Sequence, residues 1–138
     1  MSGIRGKNTK PEILIRKRLH ALGYRYRLHS GAVPGRPDFV LPRFHAAVFV
    51  NGCFWHGHDC SLFRLPDTRR DFWKKKIERN RERDRDVSQQ LADAGWRQLV
   101  IWECALRGPG RIGLDATVSD AAAWLEGSGS SAEIRGAA

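Results

Sequence analysis

Asp38 follows Pro37 at the start of a short apolar run, Phe39-Val-Leu41, and a second apolar run, Ala46-Ala-Val-Phe-Val50, ends a turn later at Asn51. A carboxylate at the start of one strand, beside the end of the next, is a place where a hydrated divalent cation can be held. Hard oxygen ligands, a carboxylate plus a backbone carbonyl, suit Mg²⁺, which keeps several of its waters. Taken alone, the plainer reading of Asp38, a side chain that satisfies turn amides after a proline, is the stronger one.

The next segment, Asn51-Gly-Cys-Phe-Trp-His-Gly-His-Asp-Cys60, is dense in groups that bind metals or move protons. His58 and Cys60 have the close spacing of metal ligands, and Cys104 can add a second thiolate from the end of a later strand. Asp84, on a long charged helix, is the best acidic candidate for a fourth ligand. Such a set matches tetrahedral Zn²⁺. The alternative, cysteines acting as small core hydrophobes, stands level with it on spacing alone. His56, two residues before His58, can face the Asp38 site, and a neutral imidazole near pH 7 is suited to taking a proton from water. A lone histidine is more often a core or surface residue. Phe54-Trp55 either completes a core, the usual outcome, or wedges between stacked bases.

The elements that must position these groups follow from pattern. Thr9-Lys-Pro-Glu12 carries a helix start, with Thr9 and Glu12 as a capping box and Pro11 in the first turn. Ile13, Leu14, Leu19 and Leu22 form its expected stripe, ended by Gly23. Tyr24 to Leu28 alternates as a strand, Ser30 to Pro37 is turn-rich, and the apolar runs 38–41 and 46–50 read as strands, the latter buried on both faces. A charged helix is expected from about Thr68 to Ala94, closed by Gly95, then a strand Arg97-Gln-Leu-Val-Ile-Trp102 and a helix Thr117 to Leu125. Residues 127–138, rich in Gly, Ser and Ala, read as a loose C-terminal tail after a single domain over 1–126. The order α, β, β, β, α, β, α describes an α/β fold, a mixed sheet flanked by helices.

The 138 residues carry 24 Lys and Arg against 15 Asp and Glu, a net +9 with pI near 10.2. A small domain this basic is expected to meet an anionic partner, nucleic acid being the commonest. No stretch reads as a signal peptide or approaches the roughly 20 apolar residues of a membrane span. Three cysteines without an export signal are expected as reduced thiols in the cytoplasm. The mixed charges of Lys74-Lys-Lys76 and Arg79-Asn-Arg-Glu-Arg-Asp-Arg-Asp86 favour a solvated helix face, with some cations, and Arg64, Arg69 and Arg70, on phosphates.

Gly52-Cys-Phe-Trp-His56, with Gly35-Arg-Pro-Asp38 before it and Trp102-Glu-Cys104 after it, resembles the very short patch repair (Vsr) endonucleases. The likeness runs from about Ile4 to Arg107 and includes Lys7-Asn-Thr-Lys-Pro-Glu12, Phe72-Trp73, Glu82-Arg-Asp84 and Gly95-Trp96. It implies a restriction-endonuclease-like fold with a structural zinc site, and nicking of double-stranded DNA 5′ to a thymine mispaired with guanine, by a monomer. By that resemblance Asp38 and the Val50 carbonyl hold Mg²⁺, His56 activates water, and Glu12 is an orienting carboxylate, a role in competition with its capping box. His58, Cys60, Asp84 and Cys104 match the zinc ligands, and Phe54, Trp55 and Trp73 match the aromatics inserted into the opened base stack.

Three features qualify the match. PD-(D/E)xK nucleases share the strand pair but carry an acid and a lysine where this chain has Val48-Phe-Val50-Asn51. Where family members often have a second active-site histidine stands Asn51, which can donate to a phosphate oxygen but cannot shuttle a proton near pH 7. The residues before the first motif, Met1 to Lys7, are fewer than the arm with which members often grip the mismatch. Two rival functions follow: a zinc-containing DNA-binding module that does not cut, and an endonuclease of the same fold with another target.

Overall fold

A computed structural model of the chain describes residues 9–28 and 33–137. The arm from Met1 to Lys7, Asn8 of the first motif, and the opening of the turn-rich stretch (30–32) lie outside the described residues.

Helix α1 spans Lys10–Ala21, with Thr9 preceding it and Gly23 (φ +102°) beyond its end. The Thr9 side chain makes no cap bond, so the expected capping box does not form. Glu12 instead turns inward, fully buried, in an ion pair with Arg16. The buried face is Glu12, Ile15 and Leu19, while Leu14 and Leu22, expected on the stripe, are 41% and 61% exposed. A reading by apolarity alone rotates the stripe because one of the inward positions is an acid.

Strand β1 is only Arg27–Leu28; Tyr24 and Tyr26, expected within it, pack on Phe44 and Phe39 with ring centroids 5.6 Å apart. Strand β2, Phe39–Leu41, turns through Pro42–Phe44 into β3, Ala46–Asn51. His45 makes that turn with φ +53° and stacks on Trp96 at 4.0 Å. Helix α2, Arg70–Asp93, crosses to β4, Arg97–Trp102, and helix α3, Leu114–Glu126, crosses to β5, Ser131–Ile134. Gly95, φ +82°, makes the break after α2.

The five strands lie in chain order, β1, β2 and β3 antiparallel and β3, β4 and β5 parallel. The parallel part needs helical crossovers, and α2 and α3 supply them. Residues alternate between faces. Phe39, Leu41, Ala46, Val48, Leu99, Ile101 and Ile134 meet α1 and α3 through Ile15, Leu19, Val118, Ala121 and Leu125. Val40, Ala47 and Phe49 meet α2 through Leu91 and Val87. The α/β expectation of a mixed sheet flanked by helices therefore describes the fold.

The expected loose tail from residue 127 is instead ordered as β5. Its pairing runs from Gln98↔Ser131 to Ile101↔Ile134, and Ile134 is buried. A four-residue strand with a single large apolar anchor carries little sequence signal, yet it satisfies the free backbone edge of β4.

Leu99→Ala, at a fully buried position on the interior strand β4, is expected to cost about 2–5 kcal/mol in urea unfolding. Leu22→Ala, at the exposed end of α1, is expected to stay within about 0.5 kcal/mol. Comparable losses from the two would contradict the rotated stripe.

Candidate active site and metal centre

The segment between β3 and α2 is shaped by a short series of backbone bonds. His56 and His58 N–H donate to the Gly52 and Cys53 carbonyls at 3.4 and 2.9 Å, and Gly57 donates to Phe54 at 3.1 Å. Gly57 takes φ +60°, and a Cβ there would collide with Ile77 and Arg81 of α2. Only glycine fits. The turn brings Cys53 and His58 to the inner Cys/His cluster while Phe54, Trp55 and His56 line a cleft.

Helix α2 holds this segment with one narrow stripe. From residue 71 to 91 its only positions that are not exposed are Trp73, Ile77, Asn80, Asp84, Val87 and Leu91. Their 4-3-4-3-4 spacing is a single helical face. Two of the six are polar, and both bind the segment: Asn80 Nδ2 donates to the Trp55 carbonyl at 2.8 Å, and Asp84 Oδ2 lies 2.6 Å from His56 Nδ1. Arg81, beside the stripe, donates to the Gly57 carbonyl. With Asp84 on Nδ1, His56 carries its proton on that nitrogen and leaves Nε2 as the basic atom.

Asp38 stands immediately before β2. Its N–H donates to Val48 O at 3.0 Å, and its Oδ2 accepts the Val50 N–H at 2.6 Å. Burial pushes its carboxyl up to about 7; Glu12, hydrogen-bonded to it, adds to the rise, while the Val50 N–H and Arg16 oppose it. Two adjoining carboxyl groups in a poorly solvated place favour sharing a proton or holding a cation.

Asp38, Val50, Asn51, His56 and Asp84 line one cleft of about 720 Å³, with Arg36, Arg83 and Arg107 also on its wall and Phe54 and Trp55 at its side. The aromatic residues meet edge to face: Phe54 and Trp55 at 5.2 Å, Phe54 and Trp73 at 5.5 Å, Trp55 and Trp73 at 5.8 Å. All three are half-buried. The structure thus brings Phe54, Trp55 and Trp73 together beside Asp38 and His56.

Cys53, His58, Cys60 and Cys104 form the candidate metal centre, their ligand atoms all within 4.8 Å of one another. The Cys53 and Cys104 sulfurs each lie 3.6 Å from His58 Nδ1. A tetrahedral ion with bonds of about 2.3 Å to sulfur and about 2.0–2.1 Å to nitrogen has an S···N edge of roughly 3.6 Å. The residues present fit such an ion. Burial holds His58 below its usual range, favouring the neutral ligand form, and burial pushes the Cys53 thiol up, so that a cation is what would stabilise its thiolate. The fourth member of this cluster is Cys53; Asp84, expected among its ligands, lies instead against His56. Sequence reasoning did not place Cys53 among the ligands, and it left Asn80 and Arg81 in a solvated charge run. Glu103 was also missed: its Oε1 accepts the Cys53 N–H at 3.1 Å.

A family model described as DNA mismatch endonuclease Vsr matches residues 1–62. The chain is 48% identical over 112 residues to the type II nicking enzyme V.XorIIP of Xanthomonas oryzae pv. oryzae, covering 81% of this chain and 82% of that protein. It is 41% identical over 134 residues to the DNA mismatch endonuclease Vsr of Escherichia coli, covering 97% of this chain and 86% of the relative.

Because the folded Asp38 carboxyl titrates near 7 against an ordinary 3.8, its neutral form stabilises the fold. That contribution is fully present below the ordinary value and is lost as pH rises through about 7. In buffer without divalent cations, melting temperature is expected to fall between about pH 4 and about pH 7, and Asp38→Asn to flatten that fall. An unchanged pH profile in the variant would exclude Asp38 as its source.

Proposed function

The chain belongs to the Vsr family of DNA mismatch endonucleases, a DNA endonuclease therefore, and we propose that it nicks one strand of duplex DNA 5′ to the thymine of a T:G mispair, in the cytoplasm and as a monomer. The observation that supports this most is the convergence of Asp38, Asn51, His56 and Asp84 on one cleft beside an aromatic cluster. Among the described residues no helix is long and apolar enough to cross a membrane.

In this reading Asp38 and the Val50 carbonyl would hold Mg²⁺, with Glu12 orienting the site from behind Asp38, and the ion would supply positive charge at the reacting phosphate. His56 takes the proton of the attacking water on Nε2 while Asp84 holds Nδ1 and stabilises the imidazolium. The water oxygen bonds to phosphorus, one bridging oxygen leaves, and that oxygen takes a proton from solvent. Asn51 donates to a non-bridging oxygen. Arg36, Arg83 and Arg107 steer the backbone into the cleft. Phe54, Trp55 and Trp73 wedge into the stack, which costs least where a mispair has already weakened it.

The second centre, Cys53, His58, Cys60 and Cys104, is read as structural Zn²⁺. It is closed and tied to β4 through Cys104, and its binding energy is folding energy. Phosphate contacts by the Arg and Lys surplus make DNA binding strongly dependent on salt.

Single-turnover nicking with Mg²⁺ of a T:G duplex, against the matched duplex, tests the reaction. Asp38→Ala is expected to abolish cutting, and His56→Ala to slow it by about 10²–10⁴-fold, each with DNA binding retained. Cutting by His56→Ala at the wild-type rate would overturn the base assignment, and binding without cutting by wild type would leave a DNA-binding module. For the second centre, metal analysis is expected to find about one zinc per chain, emptied by Cys53→Ala with a fall in melting temperature. Full zinc in that variant would remove Cys53 from the ligand set.

A further inference from the structure

Strand β5 and the residues after it reach the metal centre and its immediate neighbours from three residues, Glu133, Arg135 and Gly136. Glu133 Oε1 accepts the Trp102 Nε1–H at 2.6 Å, and the Trp102 ring lies flat on the His58 imidazole, 3.9 Å away and within 7° of parallel. Arg135 grips Asp59 twice, donating to its Oδ1 at 2.7 Å and its carbonyl at 2.9 Å. That same Oδ1 lies 3.7 Å from His58 Nε2, a buried nitrogen with no hydrogen bond among the described residues. The Gly136 N–H then points at the Cys104 sulfur, 3.3 Å away.

These contacts have a shared direction. His58 Nδ1 faces the two sulfurs, so Nε2 carries the proton and needs an acceptor, and among the described residues Asp59 supplies the carboxylate 3.7 Å from it. A ligand histidine backed by a carboxylate is fixed in tautomer and ring plane, and an N–H aimed at a thiolate stabilises its charge. Gly136 cannot be exchanged freely: a Cβ there would collide with the Cys104 and Gly110 carbonyls. The Ala137 N–H donates to Gly110 O at 2.7 Å and so holds the peptide that follows the one making the sulfur contact.

We infer that the C-terminal segment 133–137 is a clasp on the metal centre, with Arg135 and Gly136 as positioning residues that slow metal release, Arg135 through Asp59 on His58 and Gly136 through its N–H on Cys104. The inference rests on the zinc reading given above. It makes the last strand part of the metal site and not only an edge of the sheet.

The test is zinc dissociation from the full-length protein into a chromophoric chelator, for wild type, Arg135→Ala, Arg135→Lys, Gly136→Ala and the surface control Lys75→Ala. Arg135→Ala and Gly136→Ala are expected to release zinc about 10–100-fold faster, Arg135→Lys to recover part of the loss, and Lys75→Ala to match wild type. In Co²⁺-loaded protein, Gly136→Ala is expected to shift the sulfur-to-cobalt charge-transfer band, which a general loss of stability does not do. Both variants should lower the melting temperature of the loaded protein more than that of the metal-free protein. Release at the wild-type rate with an unshifted band, or equal destabilisation of loaded and metal-free forms, would overturn the clasp. Wild-type protein that binds neither zinc nor cobalt would instead overturn the zinc reading beneath it.

Discussion

The structure depends on how the segment from Gly52 to Cys60 is pinned to the inner stripe of α2. The segment has to supply inward ligands and an outward imidazole within a few residues. No regular helix or strand presents neighbours in that way, so the backbone must be irregular and its polar groups must find partners elsewhere. The α2 stripe provides them, through Asn80 on the Trp55 carbonyl and Asp84 on His56, with Arg81 on the Gly57 carbonyl. Gly57 allows the close approach. Placing Asn80 and Asp84 on a partly buried face forgoes apolar contact, and their bonds to the segment offset that loss.

Two centres then share one scaffold. The Cys53, His58, Cys60 and Cys104 cluster ties the segment to the end of β4, and the His56–Asp84 pair ties it to α2. Asp38 approaches from β2, where the antiparallel pairing with β3 brings its carboxylate onto the Val50 N–H. In the proposed reaction a shift of the segment would separate His56 from Asp38, which is why a metal centre remote from the phosphate can matter to cutting. Phe54 and Trp55 ride on the same segment while Trp73 meets them from α2, so in the proposed reaction the residues that wedge into the stack are held with His56.

Much of this was legible in the residues. The apolar runs 39–41, 46–50 and 97–102 are strands, and the long charged stretch closed by Gly95 is α2. The same pattern hid other features. Strand β5 has one large anchor, Ile134, and depends on long-range pairing with β4, which no local window reports. Glu12 occupies a buried position on α1, so a stripe drawn through leucines points the wrong way. Asp84 reads in the sequence as the best acidic candidate for a fourth ligand, and Cys53, in the same segment as His58 and Cys60, is left out of the set. Counting the helical period from Trp73 and Ile77 through Val87 and Leu91 would have put Asp84 on the inner face. That count would still not have named its partner, because His56 is reached only through an irregular turn.

The most direct measurement is the single-turnover nicking rate of Asp84→Asn on a T:G duplex, with zinc content determined on the same preparation. If Asp84 orients His56 and takes no part in the metal centre, the rate should fall by about 10²-fold or more while the zinc content stays at the wild-type level. Loss of zinc together with activity would return Asp84 to the metal centre, and an unchanged rate would break the link between α2 and the reaction.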